Sequence, residues 1–382
     1  MDFELSEEQS LIKDQLDRLL ADRYGFEARR GYMASAEGWS TEMWARYAEM
    51  GLMALPFAEE HGGIGGGAVD TMIVMESLGR VLALEPYFAT VVLGGGFLTI
   101  GGSDAQKADL IPGIANGSTR WAFAHQERAA RYDLAHVEAT ARKDGAAWQI
   151  SGAKGLVLHG DAADRLVVTA RTAGSTADEA GVGVFVVDAR GAGVSRPGYP
   201  TQDGLRAAEV TFENATAEQV LGDAEGGMAL VRTVVDRALS ALAAEAVGVM
   251  EAMHALTLDY IKVRKQFGVP IAQFQVLQHK SVDMYVACEQ MRSIAMYATM
   301  MADSDDAAER ARAMHAAKVE LGRGGRLAGE NAIQLHGGVG MTTEYAVTHY
   351  FKRLAMMNTL FGDGDHHLRR LAAAGGLFSA AA

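Results

Sequence analysis

From Gly226 to its C-terminus the chain carries four long runs rich in Ala, Met and Leu, near 226–264, 275–300, 305–335 and 343–357, with apolar residues at helical spacing. Each run has an apolar stripe to bury, and four such helices pack as a bundle. The methionines read as core filler, because a flexible thioether chain fills irregular gaps. Gly322, Gly324 and Gly325 fall inside the third run, where each costs about 1 kcal/mol against Ala. They mark a close helix approach, a subunit contact or a helix break.

The rest of the 382-residue chain, 49% hydrophobic overall, has room for about two to three domains. A first helix is expected from Ser6, its N-cap, to about Asp22, with Leu11, Ile12, Leu16, Leu19 and Leu20 at helical spacing and Glu8 and Gln9 in its first turn. Further helical patterns lie around 40–50, 69–82 and 104–111. Between about 119 and 224 the pattern changes to short β-type runs, 147–150, 165–169, 183–187 and 208–212, which predict a small antiparallel sandwich or barrel. The segment 171–181 is polar and small and reads as an exposed loop, not a site. The expected organisation is therefore mainly α with a central β-domain: a helical domain at 1–118, a β-domain at 119–224 and a helical bundle at 225–382.

A net charge of −13 leaves no footprint for nucleic acid, and no basic run suits an anionic membrane surface. No stretch approaches the roughly 18 uninterrupted apolar residues of a membrane span. Cys288 is the single cysteine, which excludes an intrachain disulfide and a cysteine metal cluster. These features predict a cytoplasmic protein without a membrane partner.

The junction of the third and fourth runs reads Gln334-Leu335-His336-Gly337-Gly338-Val339-Gly340. Glycines there serve either a helix C-cap or an anion site, since backbone amides with no Cβ beside them can close on a phosphate. Arg264-Lys265-Gln266-Phe267-Gly268 precedes Gln275 upstream, and the chain opens Phe3-Glu4-Leu5-Ser6-Glu7-Glu8-Gln9 and continues through Gly51-Leu52 to Glu59-Glu60-His61-Gly62-Gly63-Ile64-Gly65. In this order and spacing the pieces resemble the acyl-CoA dehydrogenase family over essentially the whole chain. The resemblance implies an N-terminal helical domain, a middle antiparallel β-domain and a C-terminal four-helix bundle, with FAD held between the latter two and the bundle forming the core of a tetramer. It implies that Arg264, Phe267 and Gln275 reach a neighbouring subunit's FAD and that Gln334, Gly337, Gly338 and Gly340 cradle its ADP portion. An Arg fork and glycine amides suit pyrophosphate oxygens.

The family's reaction removes the α-proton of an acyl thioester with a carboxylate while the β-hydride passes to the flavin. Matching Leu368-Arg369-Arg370-Leu371 to the family's apolar-x-Arg-Leu run puts Asp363 on the base and Gly364 beside the substrate. A slip of one or two residues nominates Asp365, otherwise placed with the cofactor-contacting residues. On the first bundle helix, where some members carry the base, the nearest acids are Asp236 and Glu245. Asp363 also suits a helix N-cap for 364–373. The Asp363-Gly364-Asp365-His366-His367 cluster looks metal-like, yet adjacent histidines point apart and no second ligand cluster exists, so no metal is expected.

Two segments depart from the family. Where members carry a flavin-bonding Thr and a Ser near the thioester, this chain has Gln126 and Tyr132, with Arg128 and Arg131 as added cations. Where Trp-Ile-Thr covers the flavin ring, it has Leu156-Val157-Leu158, followed by His159-Gly160. Gln126 and Leu158 are thus expected at the flavin, Tyr132 and Arg131 at the substrate. The Gly362–His367 end looks most like the small-subunit type of pimeloyl-CoA dehydrogenase, a branch often paired with a large subunit. The expected function is FAD-dependent α,β-desaturation of an acyl-CoA, as a homotetramer or with a sister subunit, with an electron-transfer flavoprotein as acceptor. The alternatives are a family-fold flavoprotein of other chemistry, such as a monooxygenase or desulfinase-like enzyme, and a non-catalytic supporting subunit.

Overall fold

The structure is a computed structural model, and it describes residues 5–377; Phe3 and Glu4 of the opening motif lie outside the described residues. In chain order the helices are α1 (Glu7–Arg23), α2 (Phe26–Met33), α3 (Thr41–Glu49), α4 (Ala68–Val81), α5 (Gly96–Gly101), α6 (Asp104–Ala115), α7 (Met228–Val263), α8 (Gln275–Ala302), α9 (Ala307–His336), α10 (Ala346–Thr359) and α11 (Gly364–Ala373). Strands β1 (Trp121–Ala124), β2 (Thr140–Asp144), β3 (Ala147–Leu158), β4 (Arg165–Arg171), β5 (Val182–Asp188), β6 (Val194–Ser195), β7 (Gly198–Pro200) and β8 (Arg206–Leu221) lie between α6 and α7. A short hairpin, β9 (Lys265–Gln266) with β10 (Val269–Pro270), separates α7 from α8. By internal contact the chain divides into two compact units, one of Met1–Gly31, Ala68–Ala83 and Leu239–Ala382, the other of Tyr32–Gly67 and Leu84–Ala238.

The first unit is helical. Ser6 caps α1 through a capping box, its hydroxyl accepting from the Gln9 amide while the Gln9 side chain accepts from the Ser6 amide. Leu16 and Leu20 are buried, whereas Leu11 is 58% exposed. In the bundle, α9 packs against α8, α10 and α11. Met250, Met253, Met284, Met291, Met314 and Met357 are fully buried, as core filler should be. By length and composition α7 is apolar enough to cross a membrane, but 67% of its apolar window is buried inside the fold, as in the core helix of a bundle.

The second unit holds the β-barrel. β4, β2, β3, β8 and β5 pair in that order, and β5 returns to β4, so the sheet closes on itself. Inward-facing Ile150, Leu166, Val168, Phe185, Val210 and Phe212 fill it. β1 joins β4 in parallel, and the Thr90 hydroxyl, on the π-helical segment Phe88–Gly95, accepts from the Trp121 amide at 3.1 Å and donates to its carbonyl at 3.2 Å. The expected exposed loop at 171–181 needs correction at both ends: Gly181 is buried and Arg171 is 7% exposed. Its guanidinium donates to the carbonyls of Ala135, Val137, Thr176, Asp178 and Ala180 and so ties the loop to the barrel.

Candidate active site

Asp363 lies on the turn from α10 to α11, half-buried, and it is the N-cap of α11: its Oδ1 accepts from the His366 amide at 2.8 Å. Oδ2 makes no hydrogen bond among the described residues. The turn is unusual backbone. Phe361 has φ +56 and Gly362 φ +115, and a Cβ on Gly362 would lie 2.7 Å from the rings of both His366 and His367, so only glycine fits there. Asn358 Oδ1 accepts from the Gly364 amide at 3.1 Å. Asp365 is exposed in the first turn of α11.

Glu245, one of the other acids considered as a base, is paired elsewhere. Arg353 of α10 grips it bidentately, Nε to Oε1 at 2.6 Å and NH2 to Oε2 at 2.7 Å, with both residues buried. A carboxylate held this way is paired with a guanidinium through both its oxygens.

Three residues behind Asp363 were not legible as functional. Lys318 of α9, 1% exposed, donates to the carbonyls of Met357 at 2.6 Å, Asn358 at 3.1 Å and Leu360 at 2.9 Å. His367 Nε2 reaches the Phe361 carbonyl at 3.1 Å, and its Nδ1 lies 2.9 Å from His315 Nδ1. Burial pushes the Lys318 ammonium down to about 7 while Asp363 draws it back up. Burial, with Lys318 nearby, pushes His367 down to about 2. The signal was present in the pattern, since Lys318 follows Met314 by four and precedes Leu321 by three on the core face of α9.

The glycine turn closes α9. Gly337 has φ +63 and its amide returns to the Gln334 and Ile333 carbonyls, so it is the C-cap. Gln334, Gly337 and Gly338 are exposed while Gly340 is buried, and a Cβ at 337 or 338 would meet nothing in the chain. The space beside Gly338 is demanded by no internal contact, which fits a cradle for a ligand phosphate. Tyr260 of α7 stacks on His336 at 4.4 Å and its hydroxyl donates to the His336 carbonyl at 3.3 Å, bringing the end of α7 to the turn. One helical turn beyond, Arg264 is exposed, and Phe267 stands at the hairpin tip, 91% exposed with φ +56 and edge-on to Phe274 at 6.0 Å. Gln275 is the exposed first residue of α8. The turn and the hairpin thus leave Gln334, Gly337, Gly338, Arg264, Phe267 and Gln275 exposed.

The middle-domain candidates lie in the other unit. Gln126 is exposed on the segment after β1, its carbonyl accepting from the Gly155 amide at 2.8 Å. Leu158 ends β3 and is 8% exposed. Arg131, exposed with φ +50, and half-buried Tyr132 follow on the same loop as Gln126. The loop is braced by a pair that sequence reasoning missed: Glu127 Oε1 lies 2.6 Å from the Lys154 ammonium, and its carboxylate also accepts from the Glu138 and Ala139 amides. Lys154 donates further to the His125 carbonyl and the Thr169 hydroxyl. Burial pushes Lys154 down to about 8, with Glu127 holding it up. Alternation along β3 turns Lys154 to the same side as Ile150, where a cation requires a partner. Glu127, His136 and Glu138 come close enough to hold a metal ion, but both Glu127 oxygens are already engaged.

Family profiles match the chain in three blocks: the acyl-CoA dehydrogenase N-terminal domain over 6–118, middle domain over 122–215 and C-terminal domain over 225–376. The probable acyl-CoA dehydrogenase YngJ of Bacillus subtilis is 28% identical over 379 residues, 97% of this chain and 98% of that protein. A solved Tcur3481–Tcur3483 steroid acyl-CoA dehydrogenase variant superposes with a TM-score of 0.87 at 29% identity, covering 96% of this chain and 97% of that one. The FAD complex of PigA gives 0.89 at 25% identity, covering 99% and 100%. Three profiles in sequence order, relatives matched end to end and the glycine turn and exposed Arg264–Phe267 hairpin together show that the chain belongs to the acyl-CoA dehydrogenase family, whose members are FAD-dependent oxidoreductases.

Proposed function

We propose that this chain desaturates an acyl-CoA thioester between Cα and Cβ, with Asp363 as the base that takes the α-proton. Bound FAD supplies the hydride acceptor. The observation that carries the reading is the split use of the Asp363 carboxylate: Oδ1 is held by the His366 amide, which fixes the group, and Oδ2 is left to receive a proton. Glu245 is already paired, Arg353 holding both its oxygens. Asp is one methylene shorter than Glu, and about 1 Å of misplacement costs on the order of 100-fold. The left-handed Phe361 and the Gly362 turn set where the backbone carries that shorter carboxylate. Arg264, Phe267 and Gln275 on their exposed hairpin and the glycine turn serve the ADP portion of a neighbouring subunit's FAD, Gln126 and Leu158 the flavin ring, and Arg131 and Tyr132 the thioester substrate. An electron-transfer flavoprotein is the acceptor class that fits this reading.

A second reading is favoured by Gln126 and Leu158 standing where the family places hydroxyl donors: the chain lends its ADP-binding elements to a catalytic sister subunit. The two-protein name of the Tcur3481–Tcur3483 structure supports pairing of unlike subunits in such proteins. Flavin content of the separately purified chain decides between them. Bound flavin bleached by butyryl-CoA or octanoyl-CoA supports the self-sufficient enzyme, and a folded, colourless chain supports the pair. Flavin bleaching unchanged in Asp363→Asn would instead favour a different base, and bound flavin that no acyl-CoA bleaches would favour chemistry other than desaturation.

A further inference from the structure

We propose that Lys318, buried His367 and half-buried His315 form a positioning device for Asp363, fixing the turn that carries it against α9. The inference rests on the reading of Asp363 as the base. A helix C-terminus leaves carbonyls without partners, and most chains close it with a left-handed glycine. Here the C-cap of α10, Leu360, is extended at φ −66 and ψ 125, and three carbonyls at that end turn onto Lys318. An ammonium has three N–H groups and a neutral amine two, so three carbonyl acceptors at the negative end of a helix dipole match the charged form. A buried lysine is costly where an apolar side chain would pack freely. What it adds is direction: the path by which the chain leaves α10 is set from α9.

The next residues are held from the other side. A carbonyl only accepts, so His367 Nε2 donates to Phe361. His367 is neutral when buried here, so its Nδ1 is an acceptor, and His315 Nδ1–H donates to it. Hydrogen bonding thus fixes both tautomers, and the ring of His367 fills the space that a side chain at Gly362 would need. Gly364 follows, its amide on Asn358. From Met357 to Gly364 the turn is anchored by Lys318 of α9, Asn358 of α10 and His367 of α11, with Asp363 between the anchors. The charged and titratable groups facing the pair are Lys318 on α9 and His366 and Arg370 on α11.

The test compares His367→Leu, which deletes the donor, with His367→Gln, which keeps an N–H near the Nε2 position, and with Lys318→Met. Each is made in the flavin-loaded enzyme and assayed by flavin bleaching with whichever of butyryl-CoA and octanoyl-CoA bleaches the wild type faster. Displacement of the carboxylate predicts a kcat loss of about 10- to 100-fold in His367→Leu, with KM and FAD content unchanged and most of the rate restored by Gln. In an Asp363→Asn background His367→Leu should cost nothing further. Wild-type kcat in His367→Leu and Lys318→Met, alongside an inactive Asp363→Asn, overturns the device and leaves the base standing. An equal further loss in the Asn background also overturns it. Full turnover by Asp363→Asn sinks the base itself. If Lys318→Met fails to fold, the Leu and Gln pair at His367 decides.

Discussion

Two glycines three residues apart on α9 should respond to alanine with opposite signs. Each substitution gains about 1 kcal/mol of helix propensity. At Gly325 the new Cβ meets only Leu354, at 3.5 Å, an ordinary van der Waals contact, so Gly325→Ala keeps the gain. At Gly322 it lands 2.8 Å from Asn358 Oδ1 and 3.0 Å from the Gly364 Cα. Asn358 can swing away only by releasing the Gly364 amide it accepts from at 3.1 Å, which costs about 1–3 kcal/mol. Retreat of the Gly364 backbone costs a further 1–3 kcal/mol or so. Against the propensity gain, Gly322→Ala comes out about 1–5 kcal/mol less stable. Because the displaced atoms adjoin Asp363, its kcat should also fall by about tenfold, while Gly325→Ala keeps wild-type kcat. Urea unfolding and steady-state turnover of the two variants read both effects. Equal stabilisation of the two variants with full activity would refute the tight α9–α11 contact.

Arg353→Met leaves the Glu245 carboxylate buried without its partner and should cost about 3–5 kcal/mol in urea unfolding, most of it recovered in Arg353→Met with Glu245→Gln; a loss below about 1 kcal/mol would mean water reaches the pair. Glu127→Ala should cost as much by stranding buried Lys154 and two amides, and its cost should fall when Lys154→Met is added. His125, His315 and His367 are pushed down to about 3, 4 and 2, each chiefly by burial, against an unfolded value near 6.5. Their native pKa values lie below the unfolded one, so their contribution is complete above about pH 6.5 and is lost as the pH falls toward 4, by about 1.4 kcal/mol per pH unit for each histidine. The helical unit, with two of them, should lose stability about twice as steeply as the barrel unit on their account; His315→Asn with His367→Gln should flatten its slope, and an unchanged slope would contradict the neutral pair.

Periodicity made the bundle legible, because long helices with an apolar stripe need no distant information, and the capping box at Ser6 and Gln9 is local too. Leu11 escaped, since it lies on the apolar pattern but on the solvent side of α1. The Phe88–Gly95 segment and α5 were not anticipated, because Gly94, Gly95 and Gly96 are poor helix formers; their helical form depends on tertiary packing. The parallel pairing of β1 with β4 joins residues 44 apart, such as Trp121 and Arg165, which no local pattern encodes. At the site, the N-cap role of Asp363 could be read from the chain. Lys318, Lys154 and Arg171 could not be read so directly, since their partners are backbone carbonyls or a distant glutamate. A lysine on the core face of a helix or strand is the trace such partners leave in a sequence.

The most direct measurement is the visible spectrum of purified wild type and Asp363→Asn, before and after addition of butyryl-CoA and octanoyl-CoA. The account predicts flavin bound in both proteins, bleached by one of the thioesters in the wild type and left oxidised in Asp363→Asn. Bleaching of Asp363→Asn at the wild-type rate would contradict it, because the proton would then be leaving to another base.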